Sequence, residues 1–228
     1  MKNNNLIKSI ILIGLTLALL IVLNIFLDSY QIRIINLCAI YVILGLSMNL
    51  INGFTGLFSL GHAGFMAIGA YTVAILTMSP QMKEMNFYMK PMVPALLNIR
   101  MPEFTFLPFA ESMWFQGLNQ GLWFIFALLM GGLLAALFGF LIGAPVLKLT
   151  DDYLAIATLG FSEIIRVVFI NTQSITNGAL GLKGIPPKTH LLWAWSFAIL
   201  TILLMKFLMR GSYGKALKAI REDEIAAR

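Results

Sequence analysis

Two charged residues, Glu163 and Arg166, stand inside an otherwise apolar stretch of this 228-residue chain. They are three positions apart, so a helix places them on one face, where they can neutralise each other. A charge within an apolar span is costly, usually faces the interior of a helix bundle and often has a functional role. Two interpretations remain open, a structural ion pair or a part of a transport path or its gate. In an ion-coupled carrier, the Glu163 carboxylate would be the coupling group.

A glycine-rich stretch between two apolar runs is the most informative local feature. It reads Asn52-Gly-Phe-Thr-Gly-Leu-Phe-Ser-Leu-Gly-His62. Glycine and polar side chains at membrane depth indicate close helix contact or irregular backbone that lines a cavity. Composition does not separate tight helix packing from a broken or re-entrant segment that borders a translocation path. The candidates for such a path in this region are Asn49, Asn52, Ser59, Gly61 and His62.

Enzymatic and metal chemistry find no support in the sequence. No second ligand stands at a usual spacing from His62, and His190 is far away in sequence, so no metal site is predicted. No nucleophile–base pair rises above chance. The segment Gly211-Ser-Tyr-Gly-Lys-Ala lacks the final hydroxyl and one spacer residue of a phosphate-binding loop. If ATP drives this protein, a separate subunit must hydrolyse it, and no cofactor is expected on this chain.

The composition assigns these residues to a membrane protein. Hydrophobic residues make up 59% of the chain and charged residues 11%, against about 25% charged in soluble domains. The mean hydropathy is +0.87. The single Cys38 lies in an apolar run and forms no disulfide within the chain. The apolar runs that predict helical spans are Ile10–Leu27, Ile34–Ile51, Ala63–Met78, Gly121–Leu147, Tyr153–Ile170 and Leu191–Leu208.

The basic residues predict the orientation of this all-α, six-span bundle. Six spans place both termini on one side, and both termini are basic, with Lys2 and Lys8 before the first span and a basic tail after Leu208. Cytoplasmic loops carry an excess of Lys and Arg, so both termini are expected in the cytoplasm. Residues 79–120 then form an outer connection, either an interfacial segment or a docking surface. We expect a transmembrane domain over 1–209 and a cytoplasmic segment over 210–228.

The tail beyond Gly214 changes character and favours a short, polar, charged helix. Lys218 and Glu222 are four positions apart, and Arg221 and Glu224 are three apart, which allows ion pairs within the helix. Either the tail is a solvated helix, or a cytoplasmic partner grips it.

Three regions of the chain resemble the LivM-type permeases of branched-chain amino-acid ABC importers. They are Leu50–Tyr71, Asp152–Arg166 with the following Thr176–Pro186, and Gly214–Ala227. In this order and combination the motifs are specific, and with the spans between them the likeness covers nearly the whole chain.

The resemblance implies a multi-pass permease of the bacterial inner membrane that acts with several partners. These are a second related permease, two ATPase subunits that use ATP and magnesium, and an external amino-acid-binding protein. Gly214–Ala227 matches the cytoplasmic coupling loop that docks on the ATPase. The residues expected to couple are Gly214, Ala219, Ile220, Arg221, Glu222, Asp223, Glu224 and Ala226. The Glu163 helix matches a segment near the path, which adds Thr158 and Glu163 to the path candidates.

Two features depart from the family pattern. The 79–120 connection is longer than in many members, and the family continues with further spans where this chain stops at Arg228. We therefore expect a truncated permease that supports no uptake alone. The alternatives to a leucine, isoleucine and valine importer are an ABC permease for urea or other small amides, an ion-coupled secondary transporter that uses Glu163, and a non-transporting assembly factor.

Overall fold

The computed structural model describes residues 14, 16, 18–87, 98–99, 113–149 and 151–222, with the side chains of 113–118 and 151–152 outside that description. Within these ranges the chain is helical and contains no strand, which confirms a helical membrane protein. The helices are α1 (18–26), α2 (Ser29–Met48), a π-helix (Asn49–Phe54), α3 (His62–Thr77), α4 (Pro80–Asn86), α5 (Met113–Val146), α6 (Asp151–Asn171), α7 (Gln173–Thr176), a 3₁₀ turn (Gly178–Leu180), α8 (Leu191–Arg210) and α9 (Ser212–Glu222).

Among the described residues, four helices are long and apolar enough to cross a membrane, namely Ser29–Phe54, Asn119–Val146, Tyr153–Asn171 and Leu191–Arg210. They correspond to four of the six predicted spans. The predicted span Ala63–Met78 is a helix of 16 residues, or about 24 Å, which is shorter than the hydrocarbon core of about 30 Å. The preceding residues 56–60 are not helical, so this region is a broken segment. Much of the predicted span Ile10–Leu27 lies outside the described residues.

Local side chains determine where several helices begin. The backbone amide of Asp28 donates to Oε1 of Gln31 at 3.2 Å, which closes the first turn of α2. Ser79 precedes α4, accepts from the amide of Met82 at 3.4 Å, and is followed by Pro80 at the first helical position. Helix α8 ends at Arg210, just before Gly211.

The chain forms two compact units. The first unit joins the described residues up to Leu57 with those from Thr189 onward. Its core is a seam of small residues between α2 and α8, where Ala39, Ala194 and Ala198 are buried and Ile43 and Trp195 pack around them. Small side chains let two helices approach closely, which is the usual basis of packing in a membrane.

The second unit covers Phe58–Lys188 and is built on the packing of α3 against α5 and α6. Gly69 and Gly131 provide the closest contact with α5, since a methyl group on Gly131 would lie 3.0 Å from the Gly69 carbonyl oxygen. Nε1 of Trp123 donates to the carbonyl of Leu76 at 2.9 Å.

Hydroxyl groups within the helices hydrogen-bond to carbonyls of the same helix. This pairing satisfies a polar group without a partner from another helix. The pairs are Ser47 with Leu44 at 2.8 Å, Thr72 with Ile68 at 2.7 Å, Thr77 with Val73 at 2.7 Å and Thr201 with Phe197 at 2.8 Å.

Candidate translocation and coupling site

The π-helix is the first notable element of the candidate path, because it interrupts the regular hydrogen bonding at the end of α2. A methyl group on Gly53 would lie 2.0 Å from Oδ1 of Asn49. The Asn49 side chain therefore folds back over the bare backbone of Gly53, and a larger residue at position 53 would displace it. Thr55 follows the π-helix and donates from Oγ1 to the carbonyl of Ile51 at 2.5 Å. Single π-turns are rare and are frequent at functional sites.

Helix α9 docks on this π-helix through two cationic side chains. Nη1 of Arg221 donates to the carbonyl of Gly53 at 3.0 Å. Nζ of Lys218 lies 5.9 Å from the ring centroid of Phe54, within the range of a cation–π contact. Since Lys218 and Arg221 are three positions apart, they share one face of α9, and that face is turned to the π-helix.

Gly56 gives the Arg221 side chain its room. Its φ is +73°, a conformation that L side chains rarely adopt. A methyl group there would lie 3.1 Å from Cγ of Arg221. The backbone conformation therefore favours glycine, and a larger residue would also press on the Arg221 side chain.

Helix α9 also carries four other residues predicted to couple, namely Gly214, Ala219, Ile220 and Glu222. Gly214 is buried, and a methyl group on it would lie 2.5 Å from the backbone of Met209, so the turn from α8 into α9 depends on glycine. Ala219 and Glu222 are exposed, and Ile220 is half-buried. The predicted coupling residues Asp223, Glu224 and Ala226 lie outside the described residues.

In the second unit, the glycine-rich entry to α3 is held by Thr158. The amide of Leu60 donates to Oγ1 of Thr158 at 3.0 Å, and that hydroxyl donates in turn to the carbonyl of Ala155 at 3.0 Å. Gly61 is buried against Thr158. The predicted path residues Gly61 and Thr158 are thus in contact.

Packing of α3 on α6 continues beyond this contact at Gly64. A methyl group on Gly64 would lie 2.9 Å from Cδ1 of Ile165 and 3.2 Å from Cα of Ser162. This region therefore combines both interpretations left open by the sequence, irregular backbone over 56–60 and tight helix packing from Gly61 onward.

The remaining predicted path residues differ in their surroundings. Asn49 is exposed, and Asn52, Ser59 and His62 are half-buried. Nδ1 of His62 is buried and has no hydrogen-bond partner within the described part of the chain, which differs from the hydrogen-bonded imidazole usual near a membrane surface.

Glu163 and Arg166 form the predicted ion pair. Nη1 of Arg166 lies 3.1 Å from Oε2 of Glu163. The two side chains are 54% and 66% exposed, respectively, on the part of α6 that does not contact α3. Near the middle of a span, lipid is a poor environment for such a pair, so this face of α6 requires a polar or protein neighbour.

Sequence reasoning missed four members of the α9 contact, namely Gly53, Phe54, Gly56 and Lys218, as site residues. The asparagine at the i−4 position to Gly53 and the two cations on one face of α9 were the available signals. Neither signal identifies a partner 168 positions away in the chain.

Comparison with known proteins identifies the family. Residues 30–228 match the family described as branched-chain amino acid transport system / permease component. The high-affinity branched-chain amino acid transport system permease protein LivM of Escherichia coli (strain K12) is 34% identical over an alignment of 229 residues. The alignment covers 86% of this chain and 44% of that protein. The protein of the same name in Salmonella typhimurium is 33% identical over an alignment of 232 residues, which covers 87% of this chain and 45% of that protein.

A more distant relative is the probable branched-chain amino acid transport permease protein LivM of Methanocaldococcus jannaschii, 27% identical over 111 residues, which cover 42% of this chain and 32% of that protein. The chain spans less than half the length of the curated relatives it matches. No solved structure matches it significantly. On the match over residues 30–228, the chain belongs to the family of permease components of branched-chain amino acid transport systems, which are transport subunits and not enzymes.

Proposed function

We propose that this chain is a permease subunit of an ATP-driven ABC importer that moves leucine, isoleucine and valine across the bacterial inner membrane. The observation that carries the proposal is the 34% identity, over 86% of the chain, to a permease named for branched-chain amino acid transport. ATP and magnesium are then used by two cytoplasmic ATPase subunits. A second related permease completes the path, and an external binding protein delivers the amino acid.

Two contacts support six spans with cytoplasmic termini. Within the first unit, Arg221 on the basic helix α9 touches Gly53, so the C-terminal end of α2 belongs on the cytoplasmic side. Within the second unit, Asn86 bonds to Lys183, so the loops after α3 and α6 belong on one side. With one span before Asp28, both contacts agree with an even number of spans.

The position of the π-helix follows from the length of α2. Its 20 residues extend about 30 Å, which matches the thickness of the hydrocarbon core. The π-helix therefore lies at the cytoplasmic edge of the membrane, next to α9. This supports Asn49 and Asn52 as residues of the inner mouth of the path.

Helix α9 is the element that we assign to the ATPase. It follows the last described span directly and presents exposed side chains away from the π-helix, including Tyr213 at 75% exposure. One face of such a helix is held by the permease, and the other is free to bind the ATPase. The helix can therefore transmit closure of the ATPase dimer to the path as a shift between two preexisting conformations of the permease.

Within the second unit, we assign Gly61, Thr158 and Glu163 to the path, together with Ser59 and His62. The non-helical backbone over 56–60 supports this assignment, because irregular backbone at membrane depth is tolerated where it lines a cavity or is covered by protein.

Reconstitution tests the function. The complete permease would be purified with its partner permease and ATPases and placed in proteoliposomes with the binding protein. We expect leucine to stimulate ATP hydrolysis and ATP to drive leucine uptake. A matched complex, in which the ATPase subunits carry a substituted phosphate-loop lysine, should show neither activity.

The choice of cargo distinguishes the alternatives. Unlabelled isoleucine and valine should compete with leucine, and urea should not. Uptake of urea in place of leucine would assign the chain to an amide permease. Uptake driven by an ion gradient with no ATP would contradict the ABC assignment.

A further inference from the structure

The contact between Arg221 and the π-helix carries an inference that rests on the proposed function. We propose that Arg221 is a positioning residue, which holds residues Asn49–Phe54 in their π conformation and so determines the orientation of Asn52 at the cytoplasmic mouth of the path. The acceptor is the carbonyl oxygen of Gly53, and the donor is Nη1 of Arg221 at 3.0 Å.

This carbonyl needs a partner from outside the π-helix. The last carbonyls of a helical segment receive no hydrogen bond from an amide of the same segment. Gly53 is the second-last residue of the π-helix. A guanidinium group is a strong donor to such an oxygen, because the hydrogen bond is assisted by its charge.

The surroundings of the contact fit Arg221 closely. Gly53 lacks the methyl group that would collide with Asn49, and Gly56 lacks the one that would press on Arg221. Lys218 lies over the adjacent ring of Phe54. Gly56 thus leaves room for the Arg221 side chain beside the π-helix.

The π-helix has a simple alternative state. A regular α-turn spans one residue fewer than a π-turn. Conversion of one π-turn to an α-turn therefore rotates the following residues by about 100° relative to α2. Packing against α8 holds α2 itself, through Ala39 and Ile43. The rotation is therefore taken up by Asn52 and the residues after it.

Displacement of α9 then changes the mouth of the path. When the ATPase moves α9, Arg221 either keeps or releases the Gly53 carbonyl, and the balance between the π and α conformations shifts with it. Both ends of this link lie within one compact unit, so the link requires no movement of distant elements.

Thiol labelling tests the orientation of residue 52 and does not require a measurement of transport. Asn52→Cys would be introduced in a Cys38→Ser background of the complete permease assembled with its partners, and its rate of modification by a cytoplasmic maleimide would be measured without nucleotide. Arg221 is exposed, so we expect Arg221→Ala to change this rate by about threefold to tenfold, the range for one partly screened charged hydrogen bond.

Two further variants control this measurement. Lys148→Ala removes the same charge from the exposed loop after α5, which the proposed six spans also place in the cytoplasm, and should leave the labelling rate unchanged. Arg221→Lys keeps one donor, so its rate should lie between those of the parent and Arg221→Ala. It also replaces Arg221→Ala if that variant does not assemble.

Uptake separates this inference from the proposed function. Arg221→Ala should lower leucine uptake, and Arg221→Lys should restore part of it. If the parent complex transports leucine but Arg221→Ala labels like the parent, the inference is wrong and the function stands. If labelling changes but the parent complex shows no ATP-driven uptake, the function is wrong and the positioning role stands. Equal labelling changes in Arg221→Ala and Lys148→Ala would also overturn the inference.

Discussion

Asn86 and Lys183 are joined by two hydrogen bonds across 97 positions of the sequence. Nδ2 of Asn86 donates to the carbonyl of Lys183 at 2.8 Å, and its Oδ1 accepts from the amide of Lys183 at 2.7 Å. Nδ2 also donates to the carbonyl of Met82 at 2.7 Å, which fixes the orientation of the side chain. The amide group therefore pairs with a loop backbone as a strand would, and it anchors residues 181–188, which have no helix or strand of their own.

Asn86→Ala should release this loop. The substitution leaves the amide and carbonyl of Lys183 without their partner, and we expect a loss of about 2 kcal/mol, since each hydrogen bond contributes about 1 kcal/mol. Hydrogen exchange at the Lys183 amide should accelerate, and the temperature of half-unfolding should fall. Gln81→Ala, at an exposed position of the same helix, should change neither. Unaltered exchange at Lys183 in Asn86→Ala would refute the anchoring role.

Two adjacent glycines of α5 should respond in opposite directions. Gly131→Ala places a methyl group 2.9 Å from Val73 and 3.0 Å from the Gly69 carbonyl, so α3 and α5 must separate. We expect a loss of about 1–3 kcal/mol, as for other overpacked sites. Gly132→Ala meets no atom within 4 Å and should be neutral or stabilise by up to about 1 kcal/mol. Thermal unfolding of the purified permease in detergent measures both, and equal effects would contradict this packing.

Glu163→Gln separates the ABC permease from an ion-coupled carrier. It leaves the Arg166 charge near the middle of the span without its partner, so we expect less assembled complex, but the remaining uptake should still require ATP and resist a protonophore. The double variant with Arg166→Gln removes both charges and should recover assembly. Loss of proton coupling by Glu163→Gln, with uptake independent of ATP, would instead identify Glu163 as a coupling carboxylate.

Lys83 should make stability depend on pH. Burial lowers the pKa of its amine from the ordinary 10.5, and Nζ donates to the carbonyl of Ile99 at 2.7 Å. The folded chain thus binds this proton less tightly than the unfolded chain. The cost of the buried charge is fully present below the folded pKa and is lost as the pH rises from there to 10.5, so stability should rise over that window.

Lys83→Met should flatten this rise. The temperature of half-unfolding would be followed as the pH approaches 10.5, with Lys183→Met, which removes an exposed amine of the same unit, as the matched control. The slope for Lys83→Met should be smaller than that of both the parent and the control. If the half-unfolding temperature of Lys83→Met rises with pH as steeply as that of the parent, burial of the Lys83 amine is not the cause of the rise.

The long apolar helices could be predicted from the sequence because length and composition alone distinguish a span. The run Tyr153–Ile170 is a helix over Asp151–Asn171, and Leu191–Leu208 is one over Leu191–Arg210. Helix boundaries that depend on side-chain hydrogen bonds were harder to predict. Helix α2 begins at Ser29 instead of Ile34, because Asp28 and Gln31 close a first turn that hydropathy does not reveal.

The candidate site was less predictable because its contacts are distant in sequence. The spacing of Glu163 and Arg166 predicts their ion pair, which the structure confirms. The same reasoning pairs Lys218 with Glu222, yet Lys218 lies over Phe54 instead. Local spacing shows which residues share a helix face, but not which element covers that face. The π-helix also has no signature in apolar periodicity, and its hydrogen bond with α9 joins residues 168 positions apart.

The hydroxyl groups that bond to their own helices have a consequence for how the protein is made. Ser47, Thr72 and Thr201 each leave no unsatisfied hydroxyl for a neighbouring helix to fill. A span of this kind can leave the insertion machinery for lipid as soon as it is synthesised, without waiting for later helices. The order of synthesis then places few constraints on these hydroxyl groups, whereas the indole of Trp123 and the carbonyl of Gly53 find their partners on other helices.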